Sequence, residues 1–263
     1  MTEGVNQLAE GLGKAIETVP ELYTDLIQPS AKETGKFIAR IPRAINAALS
    51  GVDQWIEKQE YNVTETKKLL AQKLENISPD KIVPPEPYVA VPAIQAISYS
   101  MNSNELRNLY ANLLAKSMLT ETKDSVHPAF IEIIKQMSPI DAQIFTIICK
   151  SELRPLINLQ FKLNTGGRQY IQYHCSWIGA FPIKQIATSI DNLIRLGLIE
   201  IPSSMSYSDE RIYDLVKKNP LFKELEQKTI DTIKEKGNIN YEKTYINITD
   251  LSNLFFEICV KEP

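Results

Sequence analysis

A proline-rich segment divides the chain and limits how it can fold. Residues 78–92, with the sequence SPDKIVPPEPYVAVP, contain five prolines. Proline fixes φ, donates no backbone hydrogen bond and disfavours helical geometry in the residue before it, so a continuous helix cannot run through such a segment. We therefore expect a hinge over residues 78–92 that separates an N-terminal region, residues 1–77, from the rest of the chain.

The N-terminal region shows the apolar spacing of amphipathic helices. Apolar residues recur every three or four positions from Phe37 to Ile56, which predicts a helical stripe. From residue 31 to residue 50 four cations stand against one acid, a local net charge of +3. Such a helix packs on neighbouring helices, or it lies on an anionic membrane surface or a partner. The candidate surface for the second interpretation consists of Lys36, Phe37, Arg40, Ile41, Arg43 and Trp55.

The chain after the hinge predicts two further regions. Residues 93–137 carry the pattern of a central helical bundle, with a capping-box-like start at Asn102 and Glu105. Residues 138–263 show a different order of secondary-structure elements. The first is a helix that starts with Ser138 as the N-cap and Pro139 as the first helical residue. A second helix ends before Gly197, where a left-handed cap is needed.

Two short strands and a final helix complete the C-terminal region. The strands are predicted at residues 198–201 and in a short alternating segment that ends at Ile248, and Thr249 is a natural N-cap for the last helix. Helices followed by a two-stranded hairpin and a helix give the order of a winged helix. Residues 202–243 are polar, with nearly balanced charges, and we interpret them as a helical insertion in the wing.

A winged helix suggests binding to nucleic acid through its recognition helix. The cations that this helix offers are Lys184 and Arg195, with Asp191 between them. Affinity for duplex DNA requires several neutralised phosphates, and winged helices also serve as protein-docking modules, since fold does not fix function. We therefore favour docking and keep nucleic-acid binding as the alternative.

Composition narrows the choice of compartment and partner. The formal net charge is -3 and the pI is about 5.6, so no broad cationic field is available for nucleic acid. Three cysteines, an odd number and widely spaced, fit neither a disulfide framework nor zinc spacing. The first residues, MTEGVNQLAEGLGKAIE, lack the pattern of a signal peptide. These features predict a cytoplasmic protein, with contact at the inner face of the membrane as a possibility left open by the basic stripe.

The candidate catalytic groups favour a protein without enzymatic activity. His174 stands beside Cys175, but adjacent residues on a strand point to opposite faces, and a Cys–His nucleophile needs the imidazole to face the thiol. Residues 165–168, TGGR, lack the context of a phosphate loop and are expected to form a turn. His127, which precedes Pro128, is expected to flank a helix. We predict no cofactor and no metal site.

Several separated segments carry a family resemblance. The runs ELYTDLIQPSAKETGKFIARIPRAINAAL, PPEPYVAVPAIQAISYSMNSNELRNLYANLLAKSM, VHPAFIEIIKQMSPIDAQIF and SIDNLIRLGLIEI occur in this order. Together they resemble the abortive-infection alpha family of bacterial phage-resistance proteins, over nearly the whole chain. The resemblance implies an association with phage defence, and it carries over no catalytic residue.

These expectations combine into one hypothesis. The fold is mainly α, with N-terminal helices, a central bundle and a C-terminal winged-helix-like unit that carries a small β-hairpin. The function is non-enzymatic phage defence through binding of a phage or host protein or of a membrane surface. The alternative is a regulator that binds nucleic acid through the winged helix, and homo-oligomerisation is left open.

Overall fold

The computed structural model describes residues 70–78, 81–97, 100, 103–233 and 237–263. Within them the chain forms two compact units. The first contains the described residues up to Gln136 together with Glu257–Pro263, and the second is Met137–Phe256. The predicted N-terminal helices, including the basic stripe, lie outside the described residues except for residues 70–77, of which 70–74 are helical.

The first unit is built from short helices. Beyond residues 70–74, its helices are α1 (Pro87–Ile97), α2 (Asn104–Ser117), a 3-10 turn (Lys123–Ser125) and α3 (Ala129–Lys135). Helix α1 therefore begins inside the segment predicted as a hinge. Pro87 stands at its first position, where a missing N–H costs nothing. The core of the unit includes the fully buried side chains of Tyr110, Leu113, Phe130, Ile131 and Ile134.

Local capping explains where the helices of this unit begin. Helix α2 is capped by Ser103, whose Oγ accepts a hydrogen bond from the Leu106 N–H at 3.2 Å. The prediction that Asn102 is the cap was therefore wrong by one residue, because a serine hydroxyl is well suited to reach the third N–H of the helix. His127 flanks α3 as predicted, and its Nδ1 accepts from the Ala129 N–H at 3.1 Å.

The second unit combines helices with strands. In chain order its elements are α4 (Pro139–Lys150), β1 (Pro155–Leu163), β2 (Arg168–Cys175), α5 (Ile183–Arg195), β3 (Ile199–Glu200), a 3-10 turn (Glu210–Tyr213), α6 (Asp214–Lys217), α7 (Pro220–Ile233), β4 (Gly237–Tyr245), β5 (Asn247–Ile248) and α8 (Asp250–Phe255). A π-helical turn, Phe256–Val260, follows α8.

The predicted caps of the second unit are confirmed. Ser138 and Asp141 form a reciprocal capping box at the start of α4, and the Thr249 side chain caps α8. Gly197 has a φ of +72°. Its N–H donates to the Ile194 carbonyl at 2.9 Å, and the next N–H, of Leu198, donates to Leu193 at 3.0 Å. This pair of bonds is the Schellman motif, which requires a left-handed residue at this position.

The largest difference from the sequence prediction is a three-stranded antiparallel sheet in the order β2-β1-β4. Residues 164–167 form the turn between β1 and β2, as predicted for the TGGR segment. The interpretation of residues 202–243 as a helical insertion is correct for α6 and α7 but wrong from Gly237 onward, where the chain forms β4 and pairs with β1 along its whole length. The fold is therefore helix-rich but mixed, rather than mainly α with a small hairpin.

One face of this sheet is the core of the second unit. Ile157 and Leu159 of β1 and Cys175 of β2 pack with Tyr213, Val216 and Phe222 from the helical insertion. Burial of such side chains contributes about 1.5–3 kcal/mol each. The insertion is thus held to the sheet by apolar contact. The sheet's other face carries the buried Leu156 and, beside it, the polar side chains of Asn158 and Gln160. The predicted hairpin strands β3 and β5 pair separately, with Ile199 opposite Ile248.

Candidate interaction surface on the three-stranded sheet

The face of the sheet opposite the core carries polar side chains at adjacent positions. The register places Asn158 opposite Glu242 and Gln160 opposite Asn240. Tyr170 of β2 lies opposite Gln160. Because side chains alternate between the faces of a strand, these five residues share one side. We call this set, with the neighbouring Tyr173, the polar face.

Glu242 is at the centre of a hydrogen-bond network on the polar face. Its Oε2 accepts from Asn158 Nδ2 at 2.9 Å, from Gln160 Nε2 at 3.1 Å and from the Tyr170 hydroxyl at 3.2 Å. All three donors are neutral, so they orient the carboxylate without cancelling its charge. Glu242 itself is exposed, and its charge is available to a partner.

The two amides of the network are themselves held in one orientation. Asn158 Oδ1 accepts the backbone N–H of His174 at 2.9 Å, and Gln160 Oε1 accepts from Asn240 Nδ2 at 2.9 Å. A backbone N–H can only donate, so the bond from His174 fixes which end of the Asn158 amide faces Glu242. Asn158 is 9% exposed and Gln160 is 0% exposed. Buried, mutually satisfied amides of this kind are rigid.

Two exposed tyrosines border the network. The rings of Tyr170 and Tyr173 are stacked, with 4.2 Å between centroids and 17° between planes. They are 39% and 48% exposed. On a regular strand, residues three apart point to opposite faces. Register shifts between β1 and β2 at residues 157–160 interrupt the alternation, and such bulges redirect side chains.

His174 occupies a strained position beside the tyrosines. Its φ is +57°, which is uncommon for a residue other than glycine. Its Nδ1 lies 2.8 Å from Asp191 Oδ1 on α5, and its side chain is 16% exposed. His174 and Asp191 form an ion pair when the imidazole is protonated.

The neighbouring Cys175 thiol points away from this surface. Cys175 is buried in the core face of the sheet, and burial raises its pKa to about 12. The imidazole of His174 is directed to Asp191 instead, so the two side chains diverge as the sequence predicted. A thiol with this pKa is almost entirely protonated at neutral pH and is a poor nucleophile.

The sequence-predicted site residues are not part of the polar face. Lys184 and Arg195 are exposed on α5, and the Arg195 guanidinium donates to Asn192 Oδ1 at 2.7 and 3.0 Å. The candidate membrane or partner surface of Lys36, Phe37, Arg40, Ile41, Arg43 and Trp55 lies outside the described residues. Sequence reasoning missed the polar face itself, although the alternation of polar and apolar residues in β1 was a usable signal.

The described residues also bear on metal binding and on membrane crossing. Among these residues, no group of three or more histidine, cysteine, aspartate or glutamate side chains is arranged to hold a metal ion. In the same part of the chain, none of the helices has both the length and the apolar character needed to cross a bilayer.

Comparison with known proteins places the chain in a family. None of the curated proteins compared with the chain matches it. One solved structure is similar to part of it, that of an uncharacterized protein from the hydrocarbon-degrading marine bacterium Alcanivorax borkumensis SK2. The two share 14% identity over 51% of this chain and 93% of that chain, with a TM-score of 0.33, which supports no conclusion about this chain. The family described as abortive infection alpha matches residues 58–259, and the chain therefore belongs to the abortive infection alpha family.

Proposed function

We propose that this chain is a phage-defence protein that acts by binding a protein partner, without catalysis, and that the polar face is its binding surface. Family membership supports an abortive-infection role. The main support for this binding surface is the exposed stack of Tyr170 and Tyr173, which lies beside the hydrogen-bond network of Glu242. Tyrosine is enriched in protein interfaces because its ring supplies contact area at low entropic cost and its hydroxyl remains hydrated or bonded.

The side chains of the polar face are already ordered in the free protein, and this order favours a role in binding. An exposed tyrosine normally loses conformational freedom when a partner arrives, which costs part of the binding energy. Here Tyr170 is already held by Glu242 and by its partner ring. A surface whose side chains are ordered before contact loses less entropy on association.

The environment of the candidate nucleophile supports a function without catalysis. Cys175 is buried with a pKa raised to about 12, and the imidazole of His174 is engaged with Asp191. Among the described residues no hydrogen bond joins the imidazole to the thiol, whose Sγ lies 3.9 Å from the Gln172 carbonyl oxygen, whereas nucleophilic catalysis would need the imidazole to face the thiol.

We further propose that α4, α5, the β3–β5 pair and α8 act as a winged-helix-like docking module rather than a reader of duplex DNA. The two candidate cations of α5, Lys184 and Arg195, lie near opposite ends of the helix, with the acidic Asp191 between them. Neutralising several phosphates requires more than two cations.

The experiment is a count of phage plaques on cells that carry wild type, Tyr173→Ala or the control Tyr88→Ala. Tyr88 is 59% exposed and belongs to the first unit, whereas the polar face belongs to the second. We expect Tyr173→Ala to lose most protection and Tyr88→Ala to keep it, with equal expression and circular dichroism. Full protection by Tyr173→Ala would refute the assignment of the polar face.

A further inference from the structure

We propose that the polar face binds an arginine side chain presented by the protein partner, with Glu242 as the counter-charge and the Tyr170–Tyr173 stack as the aromatic platform. This inference rests on the proposed function, because it names the chemistry of the partner at the same surface. It follows from the sign of the charge at the centre of the polar face and from the shape of the groups around it.

The charge of Glu242 is uncompensated within the described residues. No lysine, arginine or histidine nitrogen of the described chain forms a salt bridge with its carboxylate, whereas other acidic side chains of the same unit are paired, such as Glu224 with Lys228 and Glu210 with Lys243. The carboxylate is held in place by neutral donors on Oε2. A fixed, exposed anion attracts a cation and repels an anion.

The tyrosine stack favours the same sign of charge. The face of an aromatic ring carries partial negative charge, and a cation within about 6 Å of the ring centroid is attracted to it. The rings cover one face of each other, and the two side chains are 39% and 48% exposed. A planar guanidinium can stack on an exposed aromatic ring and donate to a carboxylate at the same time, whereas an ammonium acts as a compact point charge. Arginine therefore fits this surface better than lysine.

Single-stranded nucleic acid is the main competing occupant, since bases also stack on exposed aromatic residues. The face would have to place phosphates near Glu242, which repels them. Its own cations, Lys162 and Arg168, lie opposite each other at the turn end of β1 and β2. Within the described residues neither of them forms a salt bridge with Glu242, and the Glu242 carboxylate is bonded instead to the neutral donors of Asn158, Gln160 and Tyr170.

The test uses N-acetyl-arginine methylamide as the probe and its neutral analogue N-acetyl-citrulline methylamide as the control. Binding to the full chain is followed by NMR of labelled tyrosine rings, with Tyr170 and Tyr173 assigned by their phenylalanine variants. We expect saturable shifts of both rings with the arginine probe, in the millimolar range expected for one cation–aromatic contact. The citrulline probe is expected to give no saturable shift.

Two variants with the same change in net charge show whether arginine binding depends on the carboxylate of Glu242 itself or only on the total charge of the protein. Glu242→Gln keeps the size of the side chain and is expected to weaken arginine binding about fivefold, in line with the loss of one ion pair. Glu152→Gln, at an exposed position of the same unit, is expected to leave it unchanged. Equal binding of the two probes, equal affinity of wild type and Glu242→Gln, or no saturable shift would each overturn the inference.

The failure of this inference can be distinguished from failure of the proposed function. If Tyr173→Ala abolishes protection but arginine and citrulline are not distinguished, the polar face remains a binding surface and only the arginine assignment is wrong. Saturable binding of an eight-residue thymidine oligonucleotide by wild type, lost in Tyr173→Ala and equally tight in Glu242→Gln, would also overturn the inference, and it would assign the face to nucleic acid.

Discussion

Replacement of Gly197 by valine tests the architecture of the second unit at a single backbone position. Gly197 has a φ of +72°, and a Cβ placed on it would meet only Leu251 Cδ2, at 3.8 Å. That distance is an ordinary contact, so the substitution causes no steric clash with its surroundings. Its cost is the left-handed conformation itself, about 1–2 kcal/mol for an L-residue, and β-branching places valine at the upper end.

The cost follows from the bonds that hold this conformation in place. The motif cannot relax to a right-handed geometry without losing the hydrogen bonds from Gly197 and Leu198 to the last turn of α5, and Gly197 also accepts from the Thr249 hydroxyl at 2.7 Å. A loss of 1–2 kcal/mol corresponds to a decrease of about 5- to 30-fold in the folding equilibrium constant.

The assay is urea unfolding followed by circular dichroism, with Lys184→Val as the matched control. Lys184 is exposed on the same helix, and valine there is expected to cost only a few tenths of a kcal/mol through helix propensity. An equal decrease in the two variants, or no decrease in Gly197→Val, would refute the role of Gly197 as a left-handed cap.

Three further predictions concern other parts of the chain. Burial raises the pKa of Cys149 to about 11 and that of Cys175 to about 12, from an ordinary 9.0. Their thiolate fractions at pH 8 are therefore lower by about 100-fold and 1000-fold. We expect a disulfide reagent to label these two thiols little in the native protein at pH 8, and to label them more as the pH rises. Rapid labelling of Cys175 at pH 8 would contradict its burial. Asn112→Leu is expected to destabilise the first unit by about 1–3 kcal/mol, because Asn112 donates to the Cys259 and Val260 carbonyls at 2.9 and 3.2 Å; an unchanged urea midpoint would count against this role. Replacement of Lys36, Arg40 and Arg43 by glutamine is expected to reduce co-sedimentation with anionic vesicles by around two orders of magnitude if each cation contributes about 1 kcal/mol, and no sedimentation of wild type would remove the membrane contact.

Local features of the fold could be predicted from the sequence because they depend on neighbouring residues. Ser138, Gly197 and Thr249 act at helix ends through bonds that span three to five positions, apart from the bonds of Thr249 to Gly197 and Leu198. Their side-chain chemistry alone indicates the role. The order of helices and of the β3 and β5 strands was predicted on the same basis.

The three-stranded sheet could not be predicted in the same way because it depends on distant pairing. Asn158 and Glu242 are 84 residues apart in the chain, and no local pattern specifies which strand β1 will meet. The balanced charges of residues 202–243 predict a solvated helix. That prediction is wrong for β4, where Ile239 and Tyr241 pack against the core.

The polar face was missed for a further physical reason. Polar residues such as Asn158 and Gln160 are usually solvated, yet here they are buried and satisfied by one another and by Glu242. Tyr170 and Tyr173 are three residues apart, a spacing that separates side chains on a regular strand. The register shifts that bring their rings together leave no recognisable trace in the sequence.

The most direct test of protein binding at the polar face is site-specific photo-crosslinking in cells during phage infection. A photoreactive phenylalanine derivative replaces Tyr173 in one strain and Tyr88 in another, each with and without Glu242→Gln. We predict a discrete protein adduct at position 173 that is lost when Glu242 is replaced, and no such adduct at position 88. Identical adducts at both positions, or an adduct at 173 that is unaffected by Glu242→Gln, would contradict the account.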